Sequence, residues 1–263
     1  MGAGLLLVVV FMALTAPWIS THDPVAQDHQ AVVQPPSTDH IMGTDSLGRD
    51  VFSRVVYGAR VSVMVGIISV GVGLALGVPL GLLAGYFGAP WDRLLSRVID
   101  ALLSFPPILL AMAIIGALGT DIYIAMLALG IVFAPVFARL ARAQTMVIAQ
   151  ETYVTAAWAL GATPRRIIVR HIFPNVVGPL IVQATFAFSQ AIIAEAALSF
   201  LGLGTQPPTA SWGLMLDEGR RYLRDASWMA LAPSAALSLT VLAVNFLGDG
   251  LRDAFDPTAQ GRG

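Results

Sequence analysis

The sequence predicts an all-α, polytopic membrane protein with six transmembrane helices, and three observations carry that prediction. Hydrophobic residues make up 56% of the chain against 12% charged. They fall in runs of about 20 rather than in a helical or alternating stripe. Between the runs lie polar segments punctuated by proline, glycine and arginine. The length would suit one or two soluble domains, but no stretch reads as a separate soluble core, so residues 1–263 are read as a single transmembrane domain.

Composition also removes several functions. A formal charge of −1 and the lack of a basic arm give nucleic acid nothing to bind. The chain has no cysteine, which excludes disulfides, thiolate metal sites and a cysteine nucleophile. All 15 basic residues are arginine.

The first span is Gly2 to Ile19, of marginal spanning length and without the basic leader region of a cleavable signal, so it is expected to stay as a helix. An extramembrane loop follows over about 20–60. Its end, Val51, Phe52, Val55, Val56 and Tyr57, has the spacing of a short amphipathic helix at the membrane edge. Val61 to Phe87 is the second span, where Gly73, Gly77, Gly81 and Gly85 recur every four residues and offer a smooth face to a neighbouring backbone. The third, Ile99 to Leu118, opens with Asp100 and is kinked at Phe105, Pro106 and Pro107. The fourth is Ile122 to Leu140. The fifth, Val176 to Leu201, carries Glu195, the sixth is Trp228 to Leu247 with Asn245 near its end, and a second loop spans about 202–227.

Between the fourth and fifth spans lies a polar island, Gln150 to Asn175, within a loop of about 143–175. Tyr153 to Leu160 favours helix and Gly161 stands where a helix stops. Thr163 can cap a second helix, with Pro164 at its first position, where the missing N–H removes no hydrogen bond. Arg165, Arg166 and Arg170 decorate that helix, and Pro174 and Asn175 are expected to close the unit. Six spans put both termini on one side. With the island cytoplasmic, that side holds nine arginines (93, 97, 139, 142, 165, 166, 170, 252 and 262) and the outer loops six (49, 54, 60, 220, 221 and 224), a weak positive-inside bias.

The spacing from Ala156 and Ala157 to Gly161, and then to Pro174, resembles the cytoplasmic signature loop, the EAA loop, of ABC importer permeases. Thr155 stands where that family has glutamate, His171 where it has isoleucine and Phe173 where it has leucine. These departures resemble the dipeptide, oligopeptide and nickel branch. So do HDP at 22–24, GTDSLGRDVFSRVVYGAR at 43–60, SFPPILLA at 104–111, EAALSFLGLG at 195–204, the QPP and SWG elements, and NFLGDGLRDAFDP at 245–257.

The resemblance implies a type I ABC importer-like permease fold in a prokaryotic cytoplasmic membrane, with both termini cytoplasmic. It implies a heterodimer with a second homologous permease subunit, two cytoplasmic ATPases on the loops and an extracytoplasmic binding protein that delivers di- or oligopeptides. Nickel or another small solute is the alternative cargo. The chain has no GxxxxGK[ST] phosphate loop, so ATP and magnesium are expected on the ATPases, with no cofactor on this non-catalytic subunit.

Thr155, Ala156, Ala157, Gly161, Ala162, Thr163, Pro164, Arg165, Arg166, Arg170 and Pro174 are the expected ATPase-docking residues. The small ones allow close approach, and the arginines suit acidic groups or anionic lipid headgroups. Glu195, Asp100 and Asn245 are the pore or substrate candidates. A carboxylate inside a span must face protein or water, so a structural hydrogen bond competes with a pore role for Glu195. His22, Asp23, Asp28, His29 and His40 share the first loop, but their spacing matches no strong metal motif, and no metal site is expected. The loop is read as a contact for the binding protein or the partner permease. An intramembrane enzyme lacks a histidine in any span. An ion-coupled secondary transporter is the closer rival, and would work without ATP or partners.

Overall fold

The computed structural model describes residues 2–255; Arg262 and the last two residues of the 245–257 motif lie outside them. The chain runs α1 (Gly2–Ile19), α2 (Val51–Phe87), α3 (Trp91–Leu103), α4 (Pro107–Leu118), α5 (Ile122–Ile148), α6 (Thr152–Ala159), α7 (Pro164–Ile167), α8 (Phe173–Phe200), α9 (Trp212–Gly219) and α10 (Trp228–Phe255). Five stretches are long and apolar enough to cross a membrane: α1, α2, α5, Pro164–Phe200 and α10. α3 and α4 pass the same test only as a bent pair, the geometry of a broken sixth span or of a re-entrant loop.

Four expectations about the spans need correction. Val51–Tyr57 is not a separate edge helix: it is the first two turns of α2, which runs unbroken for 37 residues. Asp50 starts that helix by accepting the Ser53 amide at 2.8 Å, and nothing between Tyr57 and Val61 interrupts the backbone hydrogen bonds. The third span is broken rather than kinked, with α3 and α4 meeting at 91°. Pro106 is extended and forces Phe105 out of the helix, while Pro107 starts a new one. At 12 residues α4 is about 18 Å long, short of the ~30 Å hydrocarbon core. The fourth span continues past Leu140 to Ile148, taking in the first residues assigned to the loop, and the sixth continues past Leu247 to Phe255.

The bundle is organised on the pair α2 and α5, the most extensive helix contact. The four-residue glycine repeat explains it. A Cβ at Gly77 or Gly81 would run into the carbonyl oxygens of Ala134 or Ala138, and one at Gly85 would lie 2.8 Å from the Arg142 oxygen. Close backbones substitute for the hydrophobic drive that is lacking between helices in lipid, and Ser69 Oγ donates to the Met126 carbonyl across the seam at 3.1 Å. α8 packs on α10 through Ser189 Oγ, which donates to Asn245 Oδ1 at 2.8 Å. α1 leans on α2 and α10 with Ala13 and Ala16 buried.

The two ends of the bundle differ. At the cap end, residues 20–50 and 201–227 cover α2, α8 and α10, with Trp212 buried and its Nε1 donating to the Val55 carbonyl at 2.9 Å. At the hairpin end, residues 149–163 project from the bundle between α5 and the helix that begins at Pro164. The start of α1 approaches Phe246 and Leu247 of α10, and Gly178 near the start of α8 approaches Phe255. Both described termini therefore lie at the hairpin end.

Candidate partner-docking surface

The hairpin is built as its local chemistry dictates, with two exceptions. α6 ends in a glycine turn: Gly161 has φ +81, its amide donates to the Trp158 carbonyl at 2.9 Å, and the Ala162 amide donates to Ala157 at 3.1 Å. This is the double hydrogen bond of a left-handed helix stop, which favours glycine. Pro164 occupies the first turn of α7 as expected. Thr163 has the extended backbone of an N-cap, but its side chain caps nothing, which corrects the first detail.

Pro174 corrects the second, because it does not close the unit. Ile168–Ile172 widens into a π-helical turn, and the Phe173 amide bonds five residues back to Ile168. A proline ring would otherwise collide with the carbonyl four residues before it. The wide turn makes room, so Pro164–Phe200 crosses as one helix.

Three buried side chains pin the hairpin to the bundle. Val154, Ile167 and Ile172 join a core with Val78, Leu82, Phe137 and Ile148 from α2 and α5. A polar clasp adds to this: Asn175 Nδ2 donates to the His171 carbonyl at 2.7 Å and to the Tyr153 hydroxyl at 3.2 Å. Beside that root the hairpin stays open, Trp158 lining a cleft with Val154, Ile167, Tyr86 and Phe87. Trp158 is 70% and Leu160 88% exposed.

The expected docking residues do gather here. Thr155, Ala156, Gly161, Thr163, Pro164, Arg165, Arg166, Arg170 and Pro174 are exposed, while Ala157 and Ala162 are half-buried. The Thr155 hydroxyl turns back to the Thr152 carbonyl at 3.0 Å. Arg165, Arg166 and Arg170 make no ion pair among the described residues. Trp158 and Leu160, exposed in the same hairpin, were not among the expected docking residues. Two bulky apolar residues inside a polar island were the available signal.

The three pore candidates do not converge. Asp100 on α3 is exposed and accepts from Arg139 Nη2 at 2.6 Å, while Asn245 is taken up by Ser189. Glu195, 1% exposed, is sealed near the cap end of α8 rather than facing an open path. Its Oε1 accepts from Ser199 Oγ at 2.6 Å and Thr205 Oγ1 at 2.9 Å, and Oε2 has no partner among the described residues. Loop 201–205 thus folds back over the carboxylate.

At the cap end, an ion network joins the two loops. Arg49 donates through Nε to Asp45 at 2.6 Å and through Nη2 to Glu218 at 2.8 Å. Arg54 donates to the Pro24 carbonyl at 3.1 Å, with Nε 3.4 Å from Asp45.

A bundle of long apolar helices with a rooted, exposed polar hairpin defines a class, that of a multi-pass membrane protein. The chain belongs to the family described as the binding-protein-dependent transport system inner membrane component, which residues 77–260 match. A putative peptide transport system permease protein of Brucella suis biovar 1 (strain 1330) is 46% identical over 256 residues, covering 97% of this chain and 86% of that one. The dipeptide transport system permease protein DppC of Alkalihalophilus pseudofirmus is 44% identical over 97% of this chain and 84% of its own. The glutathione transport system permease protein GsiD of Escherichia coli O6:K15:H31 (strain 536 / UPEC) is 46% identical over the same shares, 97% and 84%.

Among solved structures, an inward-facing crystal form of the MetNI methionine ABC transporter superposes with a TM-score of 0.63 at 20% identity. The match covers 77% of this chain and 97% of that one. The fold is thus that of a type I ABC importer permease.

Proposed function

We propose that this chain is the permease subunit of an ATP-driven importer of di- or oligopeptides, pairing with a second permease and receiving cargo from an extracytoplasmic binding protein. The observation that carries this reading is the hairpin, rooted in the bundle by Val154 and Ile167 and uncovered at Trp158 and Leu160. An ATPase closing around α6 would move α5 and α8 through that root. Relatives named for dipeptides and for glutathione support a short peptidic cargo.

The hairpin end then faces the cytoplasm, together with both termini. ATP and magnesium belong to the partner ATPases, and the exposed Arg165, Arg166 and Arg170 suit their acidic groups or anionic headgroups. Glu195, Asp100 and Asn245 stay on the route only if the transport cycle opens their present contacts.

The test is uptake into proteoliposomes holding both permeases, the ATPases and the binding protein, with peptides of graded length and with Ni²⁺. Peptide uptake should require ATP. A Gly161→Asp substitution places a charged side chain in the open space at the stop of α6 and should reduce ATP-driven uptake without reducing the amount of subunit in the membrane. Undiminished ATP-driven uptake by that variant would overturn the docking role. ATP-independent uptake by this chain alone would overturn the importer, and uptake of Ni²⁺ in place of peptides would reassign the cargo.

A further inference from the structure

At the cap end, three residues from separate segments converge on one point. His22 follows α1, His40 lies across the loop, and Asp50 precedes α2. His40 Nδ1 is 3.0 Å and His22 Nδ1 3.8 Å from the same oxygen, Asp50 Oδ1. All three donor atoms lie within 4.8 Å of one another, and the two rings are 4.7 Å apart.

The carboxylate is prepared for this. Its side chain is fully buried, and Oδ2 is occupied by the Ser53 amide at 2.8 Å and the Thr21 hydroxyl at 3.2 Å. Those bonds leave Oδ1 aimed at the histidines, as outer partners orient a metal ligand. Asp50 was absent from the loop cluster considered on sequence alone, which is why no metal pattern was legible there.

We propose that His22, His40 and Asp50 form a binding site for a divalent cation of the zinc class, which clamps the first loop to the start of α2. Two donors on one tetrahedral zinc ion sit about 3.3–3.5 Å apart, given bond lengths of about 2.0–2.2 Å. The 3.0 Å pair must open and the 3.8 Å pair close by a few tenths of an ångström, and the two histidine nitrogens, within 4.8 Å of each other, must draw together by up to about 1.3 Å through rotation of the exposed His22 side chain. The metal replaces the proton that His40 Nδ1 shares with Asp50. Two imidazoles and a single carboxylate oxygen select zinc-like ions over calcium or magnesium, which require more oxygen ligands. The His22 side chain is 41% exposed and lines a cleft between α1 and α2, so water can fill the fourth position.

The test uses the full-length chain in lipid nanodiscs, titrated with Co²⁺ as a visible spectroscopic probe and with Zn²⁺ while thermal unfolding is followed. Wild type should develop a saturable tetrahedral Co²⁺ band, which Zn²⁺ abolishes, and should melt higher with Zn²⁺. Loss of outer-shell partners alone weakens metal sites 10–100-fold, so H22A and H40A should each lose about 100-fold or more in affinity. D50N should do the same, while asparagine still caps α2. H29A, in the same loop, should bind as wild type. No saturable band in wild type, a band unchanged in H22A and H40A, or a band lost in H29A would each overturn the site.

Discussion

At the cap end, Arg49 and Arg54 are buried among Asp45, Glu218 and the Pro24 carbonyl, and Arg220 and Arg221 reach Asp217 at 2.8 and 3.4 Å. At the hairpin end, Arg165, Arg166 and Arg170 are exposed, as are Trp158 and Leu160. The same residue type thus closes one surface and leaves the other open. A buried charge must find its partner inside the chain, since an uncompensated one is strongly destabilising. An exposed arginine on an apolar surface carries no such penalty and is ready for a partner. The cap thus holds its buried charges within this chain, while the three hairpin arginines have no ion pair among the described residues.

The largest test of that contrast is Arg49→Ala, which leaves Asp45 buried and removes the bridge to Glu218. With Arg54 still 3.4 Å from Asp45, it should destabilise the subunit by about 1.5–3 kcal/mol, the worth of a hydrogen bond to a charged group, read as a lower unfolding temperature in detergent. A shift near zero would mean that the cap is not held by this network. Next comes Trp158→Ala, which should weaken ATPase binding by about 2 kcal/mol or more while changing subunit stability by less than about 0.5 kcal/mol. A large loss of stability would show that the surface is part of the fold rather than of an interface.

Smaller still is Thr163→Ala. A capping threonine is worth about 1 kcal/mol, but with no side-chain cap made here the change should be below about 0.5 kcal/mol; thermal unfolding of the pair of proteins measures it. The last concerns acid. Burial pushes the Asp50 carboxyl up, but the Ser53 amide, the His40 ring, the Ser53 hydroxyl and the His22 charge outweigh it and hold the group below its ordinary 3.8. Its folded-state pKa being depressed, its stabilisation is complete above that ordinary value and fades as pH falls through the lower folded one. D50N should lack that component of acid sensitivity in a pH series of unfolding temperatures.

Much of this organisation is visible along the chain because it is local. α1 begins and ends at the expected residues, the glycine repeat marks the face of α2 that meets α5, and Gly161 marks the stop of α6. Other features needed three dimensions. The continuity of α2 depends on Asp50 capping it from within a loop, and the passage through Pro174 depends on a π turn that no residue pattern announces. Trp158 and Leu160 read as ordinary helix residues until their exposure is known.

What the amino-acid order determined by itself is the class, the spans and the place of the hairpin, because hydrophobic run length and turn chemistry act over a few residues. Only the tertiary structure decided the 91° break between α3 and α4, the pairing of Arg49 with Glu218 across 169 positions, and the sealing of Glu195. Those outcomes arise where separate segments compete for the same buried space and the same hydrogen-bond partners. The convergence of His22, His40 and Asp50 belongs with them, since a loop of irregular backbone brings the three together.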